Sequence, residues 1–261
     1  HAQALCALLA QALWRLRLTS SMLAAQREAQ RQQLQSTFLA AISHDLRTPL
    51  AAIVGAASSL QTQRDKLSPS EQERLLGSIV SEGSYLSTVT ENTLQLVRLT
   101  SSAQELKRDW ESMEEIVGAV LARVRQRDPE RRIKSKVPEG LPLVKADPVL
   151  LAQLIGNLLD NALKYSDGAI DLTVNADGQE LVVSVKDRGS GIPEAEQQAI
   201  FEPYARGDQS GQRGAGLGLA LCRAIAEAHG GRLTLRPRAG GGSNFVLTLP
   251  VEAQQPGREL P

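Results

Sequence analysis

The sequence predicts two domains of different class, a helical hairpin followed by an α+β sandwich. Three observations predict it. First, apolar residues recur at three- and four-residue steps from about 22 to 100, and only Pro49 and Gly55 interrupt residues 22–62 as helix breakers. Second, from about residue 107 that pattern gives way to short runs bounded by turn residues. Third, 261 residues is enough chain for about two domains.

Composition narrows the class further. Apolar residues make up 42% and aromatics only 3%, so the core is built from Leu, Ala, Val and Ile. Lys+Arg and Asp+Glu are 29 each, which argues against an electrostatic footprint for nucleic acid. Cys6 and Cys222 lie far apart with no ligand spacing around either. A disulfide framework or zinc site is disfavoured, which suits a reducing compartment.

The elements follow in order. The chain begins at His1 rather than Met and reads as a fragment of something longer. Ala2 to Trp14 is apolar, but Arg15 and Arg17 end it short of a membrane span. Residues 1–21 are therefore expected to be the end of an upstream domain or a signalling helix. Leu34, Phe38, Ile42, Leu46, Pro49 and Ile53 then place one apolar stripe on a long helix. Ser68-Pro69-Ser70 is a turn and helix start. Leu75, Ile79, Leu86, Val89, Thr93 and Leu96 continue the helical spacing to about residue 100. Two long helices with a short link form an antiparallel hairpin over 22–104. One hairpin buries one seam, so a second copy is expected to complete a four-helix bundle in a homodimer.

Residues 105–252 form the second domain. Ser112 to Glu115 is a capping box opening a helix to about Val124. Arg132–Val137 and Leu141–Val144 read as strands, and Asp147-Pro148 starts a helix to about Tyr165. Ala169–Asn175 and Leu181–Asp187 are strands joined by the turn Ala176-Asp177-Gly178-Gln179. Pro193–Phe201 reads as helical, Glu202–Ala215 as a Gly-rich loop and Gly216–His229 as a helix. Arg232–Arg236 and Asn244–Leu249 close the sheet. Helices beside antiparallel strands suggest an α+β sandwich. Residues 253–261 read as a disordered tail.

The chemistry concentrates at Ser43-His44-Asp45-Leu46-Arg47-Thr48-Pro49-Leu50. His44 is one of only three histidines. At about 100° per residue it points away from the apolar stripe, and Thr48 lies only about 40° around from it. An exposed imidazole is nucleophilic when unprotonated. The neighbouring Asp45 can take the proton from one ring nitrogen and orient the other. Thr48 can position a water or a phosphoryl group. Pro49 crowds the carbonyl of Asp45, so the helix is expected to kink beside His44. For a bare His-Asp pair, a solvated surface histidine is the better reading; the octet is far more specific.

Two features point to a nucleotide. Asn157, Asn161 and Lys164 share one face of a helix that otherwise reads Leu151, Leu154, Leu158. Carboxamide oxygens suit Mg²⁺, and Lys164 can neutralise phosphate. Asp187-Arg188-Gly189-Ser190-Gly191 follows a strand, while Gly214-Ala215-Gly216-Leu217-Gly218 opens a helix. Glycines admit a ligand close to the backbone, and a helix N-terminus offers N–H groups to phosphate. Asp187 can accept a hydrogen bond from an adenine amino group. Taken singly, either glycine cluster is as easily a turn, and neither has the spacing of a Rossmann or Walker fingerprint.

In this order the motifs resemble the catalytic core of a two-component sensor histidine kinase, across residues ~25 to 250. His44 to Leu50 resembles the H box and Asn157 to Tyr165 the N box. Asp187 to Gly191 resembles the G1 box, Phe201-Glu202-Pro203-Tyr204 the F box and Gly214 to Gly218 the G2 box. The resemblance implies a dimerising phosphotransfer hairpin followed by a Bergerat-type ATP-binding domain. It implies that His44 takes the γ-phosphoryl group of ATP, with Asp45 as general base and Thr48 serving dephosphorylation of the partner. Asn161, assisted by Asn157, is implied to ligate Mg²⁺, and Lys164 to contact phosphate. Tyr165 and Asp187 are implied to meet adenine. Gly189, Gly191, Gly214, Gly216, Leu217 and Gly218 are implied to line base and phosphates, with Arg206 and Arg213 as further phosphate contacts. The implied partners are a second copy and a response-regulator receiver domain. The implied location is the cytoplasmic portion of an inner-membrane bacterial sensor, reached through segments outside this chain.

The wording around Ser43–Gly55, Trp110–Val120 and Leu219–Gly231 is similar to Kdp-type, potassium-responsive sensors, which would make residues 1–21 the end of a GAF-like domain. Tyr204 and Ala215 depart from the usual Phe and Thr or Ser. Two other readings fit part of the chain: a gyrase- or chaperone-like ATPase using the helices as a clamp, and a non-catalytic nucleotide-binding scaffold. His44 in its octet argues against the first; Asn161, Lys164 and Asp187 argue against the second.

Overall fold

A computed structural model describes residues 11, 14, 15, 22, 43, 45–100, 106–205, 216–238 and 240–252. They fall into two compact units that divide between Leu86 and Ser87, inside one continuous helix.

The hairpin comprises α1 (45–63) and α2 (Pro69–Thr100). On α1, Pro49 and Ala56 are buried, with Leu46, Ile53 and Leu60 half-buried, so covered positions step by three and four. On α2 the same alternation runs through Leu75, Ile79, Glu82, Leu86, Val89, Thr93 and Leu96. This is the seam expected of a heptad. A second apolar stripe is left uncovered: Leu50 and Val54 on α1, and Leu76, Val80, Leu94 and Val97 on α2. Residues 23–42, which carry Leu34, Phe38 and Ile42, lie outside the described residues.

The expected turn at Ser68-Pro69-Ser70 is a full capping box. Ser68 Oγ accepts from Glu71 N at 3.3 Å, while Glu71 Oε2 accepts from Ser68 N at 2.8 Å. The Ser68 hydroxyl also donates to that carboxylate at 2.7 Å. This bond, with the backbone one, holds the Glu71 carboxyl below its usual range.

The second unit continues with β1 (Asp109–Glu111), α3 (Met113–Arg127), β2 (Ile133–Lys136), β3 (Val144–Ala146) and α4 (Pro148–Tyr165). It ends with β4 (Ile170–Asp177), β5 (Glu180–Lys186), α5 (Gly218–Ala228), β6 (Arg232–Pro237) and β7 (Ser243–Pro250). The main sheet has the order β2-β4-β5-β7-β6, and β1 and β3 form a small separate pair. α4 packs over β4 and β5, α5 over β6 and β7, and α3 flanks α4. The core lies between: Leu151, Leu154, Ile155, Leu158 and Leu159 of α4 have no exposed surface, and neither do Ile170, Leu172 and Val174 of β4. Each such side chain contributes roughly 1.5–3 kcal/mol.

Two of the helix starts expected in this unit are present. Ser112 Oγ accepts from Glu115 N at 3.3 Å, and Asp147 Oδ1 accepts from Val149 N and Leu150 N at 3.0 and 3.1 Å. At the far end, buried His229 accepts from Asp147 N through Nε2 at 3.0 Å and faces the Ile225 carbonyl through Nδ1 at 2.7 Å. The ring joins the end of α5 to the start of α4.

Four expectations need correction. The strand expected over Leu141–Val144 begins only at Val144: Pro142 cannot donate to a ladder, and Leu141 N donates to Glu114 Oε1 at 2.9 Å. Its partner β1 was not foreseen, because three residues carry too little alternation to signal a strand. Pro193–Phe201 is not one helix but two 3₁₀ turns, Glu194–Glu196 and Ala199–Phe201, neither with a side-chain cap. The sheet is mixed rather than antiparallel throughout, because β2 runs parallel to β4 across the connection that contains α4. Finally, α5 starts at Gly218 rather than Gly216, whose φ of 65° is not helical.

Candidate functional site

The N-box helix is placed by its core face. Burial of Leu154, Leu158 and Ala162 leaves Asn157, Asn161 and Lys164 half-buried along the side of α4. Asn157 Nδ2 is buried with no hydrogen-bond partner among the described residues. It faces Cys222 of α5, whose thiol burial pushes up to about 12 against a smaller opposing effect of the Asn157 carboxamide. Asp160, between the two asparagines, is bound by Arg127 of α3. The Lys164 ammonium sits 4.9 Å from the centre of the Tyr165 ring, and Tyr165 is exposed.

The end of α4 is locked to the G1 segment. Arg131 donates to the carbonyls of Leu163, at 3.2 Å, and Ser166. Buried Ser166 accepts from Arg188 N through Oγ at 3.2 Å. A methyl group on Gly189 would collide with the Tyr165 carbonyl. The chain therefore passes Tyr165 at a distance only glycine allows.

Asp187 is the most constrained residue of this set. It is buried. Its Oδ1 accepts from Gly189 N at 2.8 Å and Ser243 N at 3.0 Å. Its N–H donates to Ser243 O at 3.0 Å, and its carbonyl accepts from Arg238 Nη1 at 3.0 Å. Among the described residues no donor reaches Oδ2. A buried acceptor with one open oxygen is suited to an amino donor from a ligand. The neighbouring Gly242 has φ 94°, and a methyl there would strike the Asp187 carbonyl. Gly191 lies against Gly242 in turn.

At the G2 segment the local chemistry is the reverse. α5 begins after Leu217 without a side-chain cap and with no acidic residue in its first turn. The first N–H groups of such a helix have no intrahelical acceptor, and they sit at the positive end of its dipole. They are available to an anion. The F box is fixed on the same helix: Arg223 reaches Glu202 Oε1 through both terminal nitrogens at 3.1 Å. Phe201 packs edge-on to Phe245 with ring centres 6.3 Å apart. Tyr204 N donates to Gly216 O at 3.0 Å, and a methyl on Gly216 would lie 2.8 Å from Tyr204 Cα. The chain is thus pinched between 204 and 216.

Of the predicted residues, Asp187 and Gly189 are hydrogen-bonded together, Tyr165 meets Gly189, and Asn157 faces α5. His44, Arg206, Arg213, Gly214 and Ala215 lie outside the described residues. In the first unit, Thr48 is exposed and Asp45 half-buried on α1. Sequence reasoning missed Ser166, Arg131, Arg238, Gly242 and Ser243. The run Gly240-Gly241-Gly242 ahead of a strand was the one available signal for the last two. A cavity of about 850 Å³ lies elsewhere, between the last turns of α2, the first turns of α3 and the first turns of α4, and Asn157 alone of the predicted residues lines it. There Gln153 Nε2 donates to Asn92 Oδ1 at 3.2 Å.

Among the described residues no group of three His, Cys, Asp or Glu side chains could hold a metal ion. The donors present are carboxamides, one with its nitrogen unpartnered. They fit a hard cation that takes few protein oxygens and fills its shell with phosphate and water.

Comparison with known proteins identifies two domains in the chain. Residues 34–102 match the His Kinase A phospho-acceptor domain, and residues 146–253 match the histidine kinase-, DNA gyrase B- and HSP90-like ATPase domain. The chain is 37% identical over 256 residues to the sensor protein KdpD of Escherichia coli, covering 97% of this chain and 28% of that protein. It is 32% identical to the alginate biosynthesis sensor protein KinB of Pseudomonas aeruginosa, covering 84% of this chain and 38% of that one. It therefore spans well under half the length of either relative. Among solved structures, full-length ShkA in complex with AMPPNP superposes with a TM-score of 0.61 at 30% identity, covering 87% of this chain and 47% of that one. The histidine kinase AdeS of Acinetobacter baumannii shares the fold at a TM-score of 0.66, with 22% identity over 80% of this chain and 98% of that one. With a match to the phospho-acceptor hairpin preceding a match to the ATPase domain, and with KdpD-like sequence through both, the chain belongs to the two-component sensor histidine kinases.

Proposed function

We propose that this chain autophosphorylates His44 from ATP and passes the phosphoryl group to an aspartate of a response regulator, which it also dephosphorylates. The observation that carries the nucleotide half is Asp187, a buried acceptor with one oxygen open, in a chain whose hairpin bears the His44 octet.

In this reading Asp187 Oδ2 accepts from the adenine amino group and Tyr165 flanks the base. Gly189 and Gly191 leave room for it, and Gly214, Gly216, Leu217, Gly218 and the N-terminus of α5 hold the phosphates, with Lys164, Arg206 and Arg213 adding charge. Mg²⁺, held by Asn161 with Asn157 assisting, supplies charge neutralisation on the phosphates when bound. Asp45 accepts the proton from one nitrogen of His44. The other nitrogen forms the N–P bond as the bond to the ADP oxygen breaks. The resulting phosphoramidate is reactive enough to phosphorylate a carboxylate. Thr48, exposed one turn beyond His44, orients the water that later hydrolyses the acyl phosphate.

The active species is a homodimer. The uncovered stripe of Leu50, Val54, Leu76, Val80, Leu94 and Val97 is the surface a second hairpin covers. No helix among the described residues is long and apolar enough to cross a membrane. The chain is read as the cytoplasmic part of a membrane sensor.

Incubation with γ-labelled Mg-ATP tests the central step. Acid-labile, base-stable label is expected on the wild type and absent from His44→Gln. Label that survives in His44→Gln removes His44 as the acceptor. Light scattering tests the dimer: Leu76→Glu with Val80→Glu is expected to yield monomer.

A further inference from the structure

We propose that Arg238 is a positioning residue for adenine recognition, acting by fixing the peptide that carries Asp187. This rests on the reading of Asp187 as the acceptor of the base amino group.

Arg238 belongs to none of the recognised motifs. It follows β6, an edge strand, in the connection to β7. Its guanidinium is largely covered, with 20% of the side chain exposed, and it spans two strands. Nη1 donates to the Asp187 carbonyl at 3.0 Å, and Nη2 donates to Asp171 Oδ2 at 3.2 Å. Asp171 lies on β4, which is separated from β6 by β5 and β7. The fork therefore ties the end of edge strand β6 to the G1 turn and to β4 beside it, across the ends of the intervening strands.

Among the described residues no other donor reaches the carbonyl it holds, and the N–H of the same peptide, that of Arg188, is held by Ser166 Oγ at 3.2 Å. The β5–β7 ladder ends at the Lys186–Asn244 pair, and beyond it Asp187 keeps one backbone bond, from its N–H to Ser243 O. The chain then leaves the sheet toward Gly189. Rotation of the Asp187–Arg188 peptide about its Ser166 anchor swings the carbonyl and displaces the next peptide, whose Gly189 N–H donates to Oδ1. The direction of Oδ2 is set by those bonds to Oδ1. A guanidinium on the carbonyl and a carboxylate on the guanidinium remove that rotation.

The alternation of β4 supports a dedicated role for Asp171. Ile170 and Leu172 are fully buried in the core, so Asp171 projects from the opposite face of the sheet. There its carboxylate sets the plane of the fork. A lysine cannot reproduce this, because a single ammonium does not present two nitrogens at fixed separation. The fork also lies behind a cavity of about 380 Å³ lined by Gly191, Arg238, Gly242 and Ser243, so the G1 turn has little packing of its own on that side.

The test measures affinity for ATP and for inosine triphosphate, which lacks the 6-amino donor, by titration calorimetry on the whole chain. Wild type is expected to prefer ATP. Arg238→Ala and Arg238→Lys are expected to weaken ATP by about tenfold and inosine triphosphate little, so that the preference collapses. Asp171→Asn is expected to act in the same direction more weakly, and the Arg238→Ala/Asp171→Asn pair to be no worse than Arg238→Ala alone. Asp171→Asn, which keeps the side-chain volume, reads the fork even if Arg238→Ala fails to fold. An unchanged preference in Arg238→Lys and Asp171→Asn overturns the proposal, as does equal loss for both nucleotides, which signals general loosening. Asp187→Asn separates the two levels. If it abolishes the preference while the Arg238 and Asp171 variants do not, the reading of Asp187 stands and the role of Arg238 falls. If Asp187→Asn leaves the preference intact, both fall.

Discussion

Gly189 and Gly218 belong to the two glycine clusters of the ATP-binding domain, and they do opposite work. Around Gly189 the chain is held by its own contacts, with Asp187 Oδ2 left open: Asp187 Oδ1 takes two backbone N–H groups, Ser166 Oγ takes a third, and the Tyr165 carbonyl fills the space a side chain needs. Around Gly218 the helix start has no side-chain cap, and among the described residues nothing lies within 4 Å of the place a methyl would occupy. Under the proposed function the base is recognised by one acceptor that must not move, so its surroundings are held. The phosphates are held by donors that must be free, so theirs are not.

The sharpest way to break this contrast is to fill both glycines. Gly189→Ala is expected to cost about 1–3 kcal/mol of stability together with nucleotide affinity, read from denaturant midpoints and calorimetry. A folded Gly189→Ala with normal affinity contradicts the account of the Tyr165 contact. Gly218→Asp should separate the two quantities. A carboxylate in the first turn raises helix stability by about 0.3–1 kcal/mol but repels phosphate, so ATP binding is expected to fall by about tenfold while thermal stability holds or rises. Parallel loss of both would place Gly218 in the same class as Gly189.

Stability as a function of pH sharpens the contrast, because α4 and α5, one from each side, meet at His229. Burial, aided by the Arg108 charge, lowers the affinity of His229 for a proton, and the Ile225 carbonyl and Asp147 oppose this incompletely. The unfolded chain therefore binds that proton more readily. Stability from this group is complete above its ordinary value of 6.5 and drains as pH falls from there through the lower folded value, with a slope of at most about 1.4 kcal/mol per pH unit. His229→Gln is expected to flatten that part of the profile in urea titrations. The smallest effect belongs to the Arg223–Glu202 pair, whose side chains are 33% and 62% exposed. Glu202→Gln is expected to change the thermal midpoint by less than the equivalent of about 0.5 kcal/mol.

The sequence was most legible where periodicity and capping act within a few residues. The heptad of Leu75 to Leu96, the box at Ser112 and the Asp147-Pro148 start are local signals, and each element stands where they place it. The motif residues of the ATP-binding domain could likewise be named from their neighbours in the chain. What supports them could not. Ser166 meets Arg188 from 22 residues away, Ser243 meets Asp187 from 56, and Arg238 meets Asp171 from 67. Apart from the glycine run ahead of Ser243, none of these pairings leaves a mark on either partner's local sequence. The parallel β2–β4 pair was missed for the same reason, since strand direction is decided by the path of the intervening chain.

The pinch between Tyr204 and Gly216 carries a consequence for how the domain tolerates change. Because that bond and the collision it guards against close the circuit before the intervening chain is counted, the rest of the fold is insulated from whatever joins 205 to 216. Doubling the length of such a closed segment costs only about 0.6 kcal/mol of closure entropy. The pinch acts as a socket. Segments of different length and composition can be plugged into it over evolutionary time, or a reporter peptide by design, without retuning the sheet.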